Sequence, residues 1–314
     1  MEMKSSYTAA DTFPIKLLLN HGVKRLVPVH VQWMPTNRCN MRCTVCCCSA
    51  RDRDLEMDLT IAQAVIQDLA GIGCEAVTIT GGGEPLCHPH IQEMLSAFDL
   101  HDVEVGLVTN GMLLDRLDEN DLATLTWCRI SNTDDRKFSV AYRRTLEDAV
   151  TRGPKVDWAF SHVVSSQPNL QEIARIVEFA NEHHFTHVRL VADIPHARDV
   201  DMGPVREYLT GIDQLVIYQP RNAPVPSSSC VIGYVKPVIA SDFKMYHCCG
   251  VQHALDPPSM DFPQELCMGD ARHLSDLYAE KRKVFNVHCA RCYYESYNSV
   301  LRPLVDEIKH QKFL

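Results

Sequence analysis

The chain has 314 residues, 46% of them hydrophobic, enough to fill the core of one large domain with a small appendage. Its 31 basic and 40 acidic side chains leave a net charge of −9, which excludes a general attraction to nucleic-acid phosphates, and Arg143-Arg144 and Lys281-Arg282-Lys283 read as solvated helix faces. No apolar run approaches the roughly 18 residues of a membrane span, and residues 1–12 lack the apolar stretch of a secretory signal. Fourteen cysteines then point to a reducing, cytoplasmic setting with metal or redox chemistry, not to disulfides.

Residues 1–26 read as an N-terminal extension. The first strand begins near Val29 and stops at Pro35-Thr36, so Cys39, Cys43 and Cys46 fall on the loop after it. Their spacing of three and then two residues brings three thiols to one point. A [4Fe-4S] cluster normally takes four cysteines, so three leave one iron open to a ligand; zinc is the alternative occupant. Cys47 and Cys48 read as bystanders. Thr60-Ile61-Ala62-Gln63 fits a capping box, and Ile61, Ala64, Val65 and Leu69 mark the buried face of the helix that follows. Residues 75–80 form a buried strand that opens directly into Gly81-Gly82-Gly83-Glu84-Pro85, where glycines let the backbone come close to a ligand.

Further strands are predicted near 103–108, 128–131, 156–164 and 187–192, separated by helices near 88–98, 118–126, 138–152, 169–184 and 202–213. Six β/α repeats imply a parallel sheet with right-handed crossovers. Cys74, Cys87 and Cys128 read as packing residues. After Pro220 the proline- and serine-rich residues 221–229 read as a linker. Beyond it, residues 238–247 predict a short hairpin turning near Ser241-Asp242, which folds Cys230 and Cys248 toward one metal, while Cys289-Ala290-Arg291-Cys292 supplies a close pair. Cys249 and Cys267 are alternatives to Cys248, and a zinc ribbon has the same outline. Val300, Leu304 and Ile308 predict the buried stripe of a last helix.

The run from Cys39 to Cys46 resembles the CxxxCxxC signature of the radical S-adenosylmethionine (SAM) superfamily, with Val45 where that family places an aromatic residue. Gly82, Gly83, Glu84 and Pro85 resemble its GGEP motif, and Thr109-Asn110-Gly111 its TNG turn. The resemblance implies that an open iron of a [4Fe-4S] cluster chelates SAM, that the GGEP residues bind the SAM ammonium, and that Ser131 meets its ribose or carboxylate; Asn132-Thr133 stand where the family has Leu-Asp. It also implies a partial (β/α)6 TIM-type barrel over 27–220. Residues 221–314 resemble a twitch/SPASM-like domain holding an auxiliary [4Fe-4S] cluster on Cys230, Cys248, Cys289 and Cys292. The expected activity is reductive cleavage of SAM to a 5′-deoxyadenosyl radical that abstracts hydrogen from a polar substrate and leads to oxidation. Rearrangement of a modified nucleobase or a peptide is the alternative, and a noncatalytic iron-sulfur or zinc protein the alternative of another class. Expected partners are a small-molecule, nucleotide or peptide substrate and an electron donor such as flavodoxin or ferredoxin, with no membrane.

Overall fold

In the computed structural model, residues 27–134, 136–193, 200–219, 224–259, 261–279 and 285–302 are described. Val31 and Trp33 are wholly buried while His30 and Gln32, alternating with them, are half-buried, and β1 (His30–Trp33) lies inside the main sheet. On one side it continues in parallel through β2 (Ala76–Ile79), β3 (Glu104–Thr109), β4 (Leu125–Thr133), β5 (Asp157–Val164), β6 (His187–Ala192) and β7 (Val216–Gln219). Strand β7 was not predicted, because its four residues lie between a short helix and Pro220.

Helices α1 (Leu59–Ile72), α2 (Ile91–Leu100), α3 (Glu119–Ala123), α4 (Val140–Arg152), α5 (Leu170–Glu182) and α6 (Gly203–Tyr208) connect the strands. The cap of α1 is Asp58, whose carboxylate accepts from the Ile61 amide at 3.0 Å, and not the predicted box at Thr60. That start turns the helix so that Ala62, Val65, Ile66 and Leu69 are buried and Ala64 is exposed. Gly73, at φ 103°, ends it. The predicted helix over 202–213 shortens to α6.

The residues after Pro220 do not all leave this sheet. Strands β9 (Val238–Ile239) and β10 (Lys244–Tyr246) form the predicted hairpin, with Phe243 at φ 64° in its turn, and β9 pairs in parallel with β1. Strand β11 (Cys267–Asp270) completes a ten-stranded sheet ordered β11-β10-β9-β1-β2-β3-β4-β5-β6-β7. Part of the predicted linker is a strand: β8 (Val225–Cys230) pairs antiparallel with β12 (Phe285–Cys292). With a single neighbour, β8 tolerates Pro226. Two short helices, α7 (Ile232–Val235) and α8 (Leu274–Ala279), flank this region. In α9 (Glu295–Leu301) the predicted stripe shifts by one residue: Val300 is exposed and Leu301 buried, and Leu304 and Ile308 lie outside the described residues, as do residues 1–26 and Lys281-Arg282-Lys283.

The two faces of the parallel sheet differ in chemistry. Cys128, Ile130, Phe160, Val188 and Leu190 are fully buried in the core, where Phe160 stacks on Phe185 at 4.8 Å and meets Phe138 and Phe179 edge-on. Strand alternation therefore puts Trp127, Arg129, Ser131, Ser161, His187 and Arg189 on the opposite, inner face. Trp127 lies across Gly106, where a Cβ would stand 2.1 Å from its ring.

Two predictions follow from this packing. Phe160→Ala should cost about 3–5 kcal/mol, read as a lower midpoint in denaturant. Just past β4, Asp134 accepts from His162 Nε2 at 3.0 Å and from the Ser165 amide at 3.1 Å. Burial pushes its carboxyl up, but these hydrogen bonds outweigh that and hold it at about 2, below its ordinary 3.8. A depressed acid stabilises the fold above its unfolded value, so about 2 kcal/mol should be present above roughly pH 4 and lost as the pH falls toward 2. Asp134→Asn should remove that part of the acid dependence in denaturation curves collected across this range.

Candidate functional site

The cysteine loop is closed at its base by a bridge between Thr36 and Glu56, with the Asn37 amide donating to Leu55 O at 2.9 Å and the Met57 amide to Pro35 O at 2.9 Å. Everything from Asn37 to Leu55 thus hangs from the C-terminal end of β1, the end at which β/α folds build their sites. Inside the loop, Arg53 donates to Cys39 O at 2.6 Å and to Met41 O at 3.2 Å. Arg51 is buried, donates to Gln252 Oε1 at 2.6 Å and lies 3.8 Å above the Phe262 ring.

The glycine turn after β2 packs against this loop without any space for side chains. The Gly83 amide donates to Thr36 O at 2.9 Å and the Glu84 amide to Arg38 O at 2.8 Å. A Cβ on Gly83 would stand 2.0 Å from Arg38 O, and one on Gly82 would stand 1.9 Å from Asn37 Oδ1. Glycine is required here for close backbone approach.

Glu84 is almost fully buried, and its carboxylate is already engaged. It accepts from Thr109 Oγ1 at 2.5 Å, from the Asn110 amide at 2.6 Å and from the Leu86 amide at 3.1 Å, where it caps the turn containing Pro85. Burial raises its carboxyl above the usual range. Asn110 then reaches the cysteine loop, donating to Asn40 Oδ1 at 2.7 Å. Arg136 binds Asn110 O, the Tyr142 hydroxyl at 2.8 Å and Met41 Sδ at 2.9 Å. A second tier of residues, Asn40, Arg51, Arg53 and Arg136, thus holds the loop. Asn40, Arg51 and Arg53 flank the motif, whereas nothing local to Arg136 announces a partner 95 positions away.

Cys39, Cys43 and Cys46 are half-buried neighbours. Burial raises the Cys39 and Cys43 thiols, and each is raised further by the charge of another of the three. Cys46 is lowered to about 7, chiefly by a hydrogen bond from Cys48, against its burial. Among the described residues no three His, Cys, Asp or Glu side chains have closed to metal-ligating geometry. The donor set nonetheless fits a thiophilic cluster: three thiols on one loop, two of them reluctant to ionise without a cation.

A second cysteine group lies around β8 and β12. Burial raises Cys230 to about 12 and Cys289 to about 11, with the neighbouring Cys292 adding to both. Cys248, half-buried, is raised by desolvation and feels Cys249, Cys230 and Cys292. Asn298 ties the group together, accepting from the Val231 and Ile232 amides at 2.9 Å and facing Cys292 Sγ at 3.9 Å. Cys249 instead meets the Tyr294 hydroxyl at 2.9 Å, and Cys267 on β11 donates to Gly269 O at 3.4 Å. Cys248 thus lies near Cys249, Cys230 and Cys292, while Cys267 bonds within β11. Ser131 lies on the inner face, paired with Ser161.

Residues 33–130, which run from the last residue of β1 through the cysteine loop and the glycine turn to most of β4, match the radical SAM superfamily. The match marks residues 33–130 as a radical SAM domain. Such a domain implies a [4Fe-4S] cluster and SAM. The GTP 3′,8-cyclase of Chlorobaculum tepidum is 32% identical over 170 residues, 50% of this chain and 51% of the cyclase. The mycofactocin maturase MftC of Mycobacterium tuberculosis is 31% identical over 103 residues, 32% of this chain and 26% of the maturase. This chain therefore spans about half the length of the cyclase and less of the maturase. Streptococcus suis SuiB, solved with its precursor peptide SuiA, shares the fold at a TM-score of 0.59 and 15% identity, over 86% of this chain and 68% of SuiB. Native anSMEcpe, solved with AdoMet and a peptide, shares it at a TM-score of 0.54 and 13% identity, over 91% of this chain and 86% of that one. No described helix is long and apolar enough to cross a membrane.

Two variants test the packing of the loop. Gly83→Ala should displace the backbone at Arg38 and lower iron incorporation at the first cysteine group, while far-ultraviolet circular dichroism stays near wild type. Glu84→Ala leaves two backbone amides and a hydroxyl without their acceptor, at about 1–3 kcal/mol for each buried group. It should therefore lower the unfolding midpoint and iron loading together; a loss of SAM affinity alone, with stability intact, would assign Glu84 to SAM and not to the loop.

Proposed function

We propose that this chain cleaves SAM reductively and oxidises a polar organic substrate. In this reading Cys39, Cys43 and Cys46 hold a [4Fe-4S] cluster, Gly82 to Pro85 and Ser131 face SAM, and Cys230, Cys248, Cys289 and Cys292 hold a second [4Fe-4S] cluster. When bound, the first cluster and SAM supply a 5′-deoxyadenosyl radical that removes hydrogen from a C–H bond. Four cysteine ligands close the second cluster to substrate and suit it to receive the electron that an oxidation releases.

The observation that carries the reading is the seating of the loop that bears the three thiols against a glycine turn at the C-terminal end of a parallel sheet. The chain's own residues have distinct tasks. Thr36, Gly83 and Arg38 fix the loop, Asn110 and Arg136 brace its middle, and the inner face of β4 to β6 offers Ser131, Ser161 and Arg189 to polar groups of the ligands. Residues 27–220 would form the SAM-cleaving unit and 221–314 the second-cluster unit, with flavodoxin or ferredoxin as the electron donor. A rearrangement without net oxidation is the second reading, favoured by the 32% identity to a GTP cyclase.

Cys39→Ala, Cys43→Ala or Cys46→Ala should each lower bound iron by about half and abolish formation of 5′-deoxyadenosine under dithionite. Cys289→Ala with Cys292→Ala should still yield 5′-deoxyadenosine but no product. Mass spectrometry of the wild-type product should show the loss of two hydrogens; an unchanged mass would select the rearrangement.

A further inference from the structure

The inner face carries positive charge, part of it without a hydrogen-bond or ion-pair partner among the described residues. Arg129 extends from β4, opposite the core residues Cys128 and Ile130, and sits 5.4 Å from the Trp127 ring. Its Nε is buried without a hydrogen bond, and neither its side chain nor that of Lys236 makes a hydrogen bond or ion pair with a described residue. Lys236 immediately precedes Pro237, whose carbonyl accepts from the Gln32 amide at 3.0 Å, and the pairing of Gln32 with Val238 brings Lys236 beside His30. Arg189, two positions past His187 on β6, donates to Ser161 Oγ at 2.9 Å.

These charges share one space. Burial lowers both Arg129 and Lys236, against the opposing effect of the Cys249 thiol on each, and Lys236 is lowered further by Arg129. Burial, then Arg129 and Arg189, lower His187, while burial and then Lys236 hold His30 at about 3. Buried cations that repel one another are costly unless an anion joins them. Cys248 and Cys249 adjoin Lys236, so this space borders the second cysteine group.

We infer that the inner face between β1 and β6 binds a phosphoryl group of the substrate, held by Arg129 and Lys236 with Arg189 alongside. The inference rests on the proposed reading of the chain as a SAM-dependent catalyst and names the chemistry of its substrate. A phosphate monoester carries close to two negative charges and three acceptor oxygens, which suits the Arg129 guanidinium fork and the Lys236 ammonium arriving from separate segments. A carboxylate has one charge and two oxygens. The site would draw the substrate into the sheet's concavity although the chain as a whole is acidic.

The test is calorimetric titration of inorganic phosphate into the anaerobically reconstituted full chain, with malonate as the dianionic carboxylate control. Phosphate should bind at least about tenfold tighter than malonate, and Arg129→Met and Lys236→Met should each weaken phosphate by about tenfold or more. Iron content and SAM affinity, measured on the same preparations, should stay at wild-type values. Three results would overturn the inference: no phosphate binding by the wild-type protein, equal affinity for malonate, or variants that lose iron while phosphate affinity is unchanged, which would make the cations partners of the second cluster. Failure of the wild-type protein to bind SAM would instead overturn the reading on which the inference rests.

Discussion

The fold of the cysteine loop depends on one backbone contact. The amides of Gly83 and Glu84 donate to the carbonyls of Thr36 and Arg38, and the chains are so close that a single methyl on Gly82 or Gly83 would penetrate the loop. Two strand ends, β1 and β2, are thereby joined above the sheet edge. Glu84 extends the junction to β3 through Thr109 and Asn110, and Asn110 returns to the loop at Asn40. Three successive strand ends are thus linked by hydrogen bonds that a buried carboxylate and two glycines make possible. A loop of nearly twenty residues held only at its ends would lose its thiols to conformational freedom.

Electrostatics give the two cysteine groups a common character. At both, burial raises thiols that a cation would return to thiolate form, so loading with metal would release protons. The groups are also mechanically connected. Arg51, at the end of the first loop, binds Gln252, four positions past Cys248, and packs on Phe262. The same chain segment therefore feels both sites, while β9 to β11 fasten the C-terminal region to β1.

Most of the parallel scaffold was legible because hydrophobic alternation and turn residues are local signals. Strands β1 to β6 and the hairpin of β9 and β10 fall where periodicity predicts them. The errors share one cause, which is that their outcome is decided by contacts distant in sequence. Asp58 displaced Thr60 as cap because the helix begins one residue after it, rotating Ala64 outward. Strand β8 forms from a proline- and serine-rich stretch because β12 pairs with it. Val300 is exposed because Leu301 takes the buried position. At the site, the cysteine spacing and the glycine run announced themselves. The engagement of Glu84 by three donors, and the bracing by Arg136, are tertiary facts that no motif encodes.

The central claim is that a [4Fe-4S] cluster held by Cys39, Cys43 and Cys46 leaves one iron open to SAM. The most direct measurement is electron-nuclear double resonance on the reduced, reconstituted Cys289→Ala, Cys292→Ala protein with SAM labelled by ¹⁵N at its amino group and ¹⁷O at its carboxylate. The account predicts hyperfine coupling from both labels to the remaining cluster. A reduced cluster that binds SAM without either coupling would contradict it.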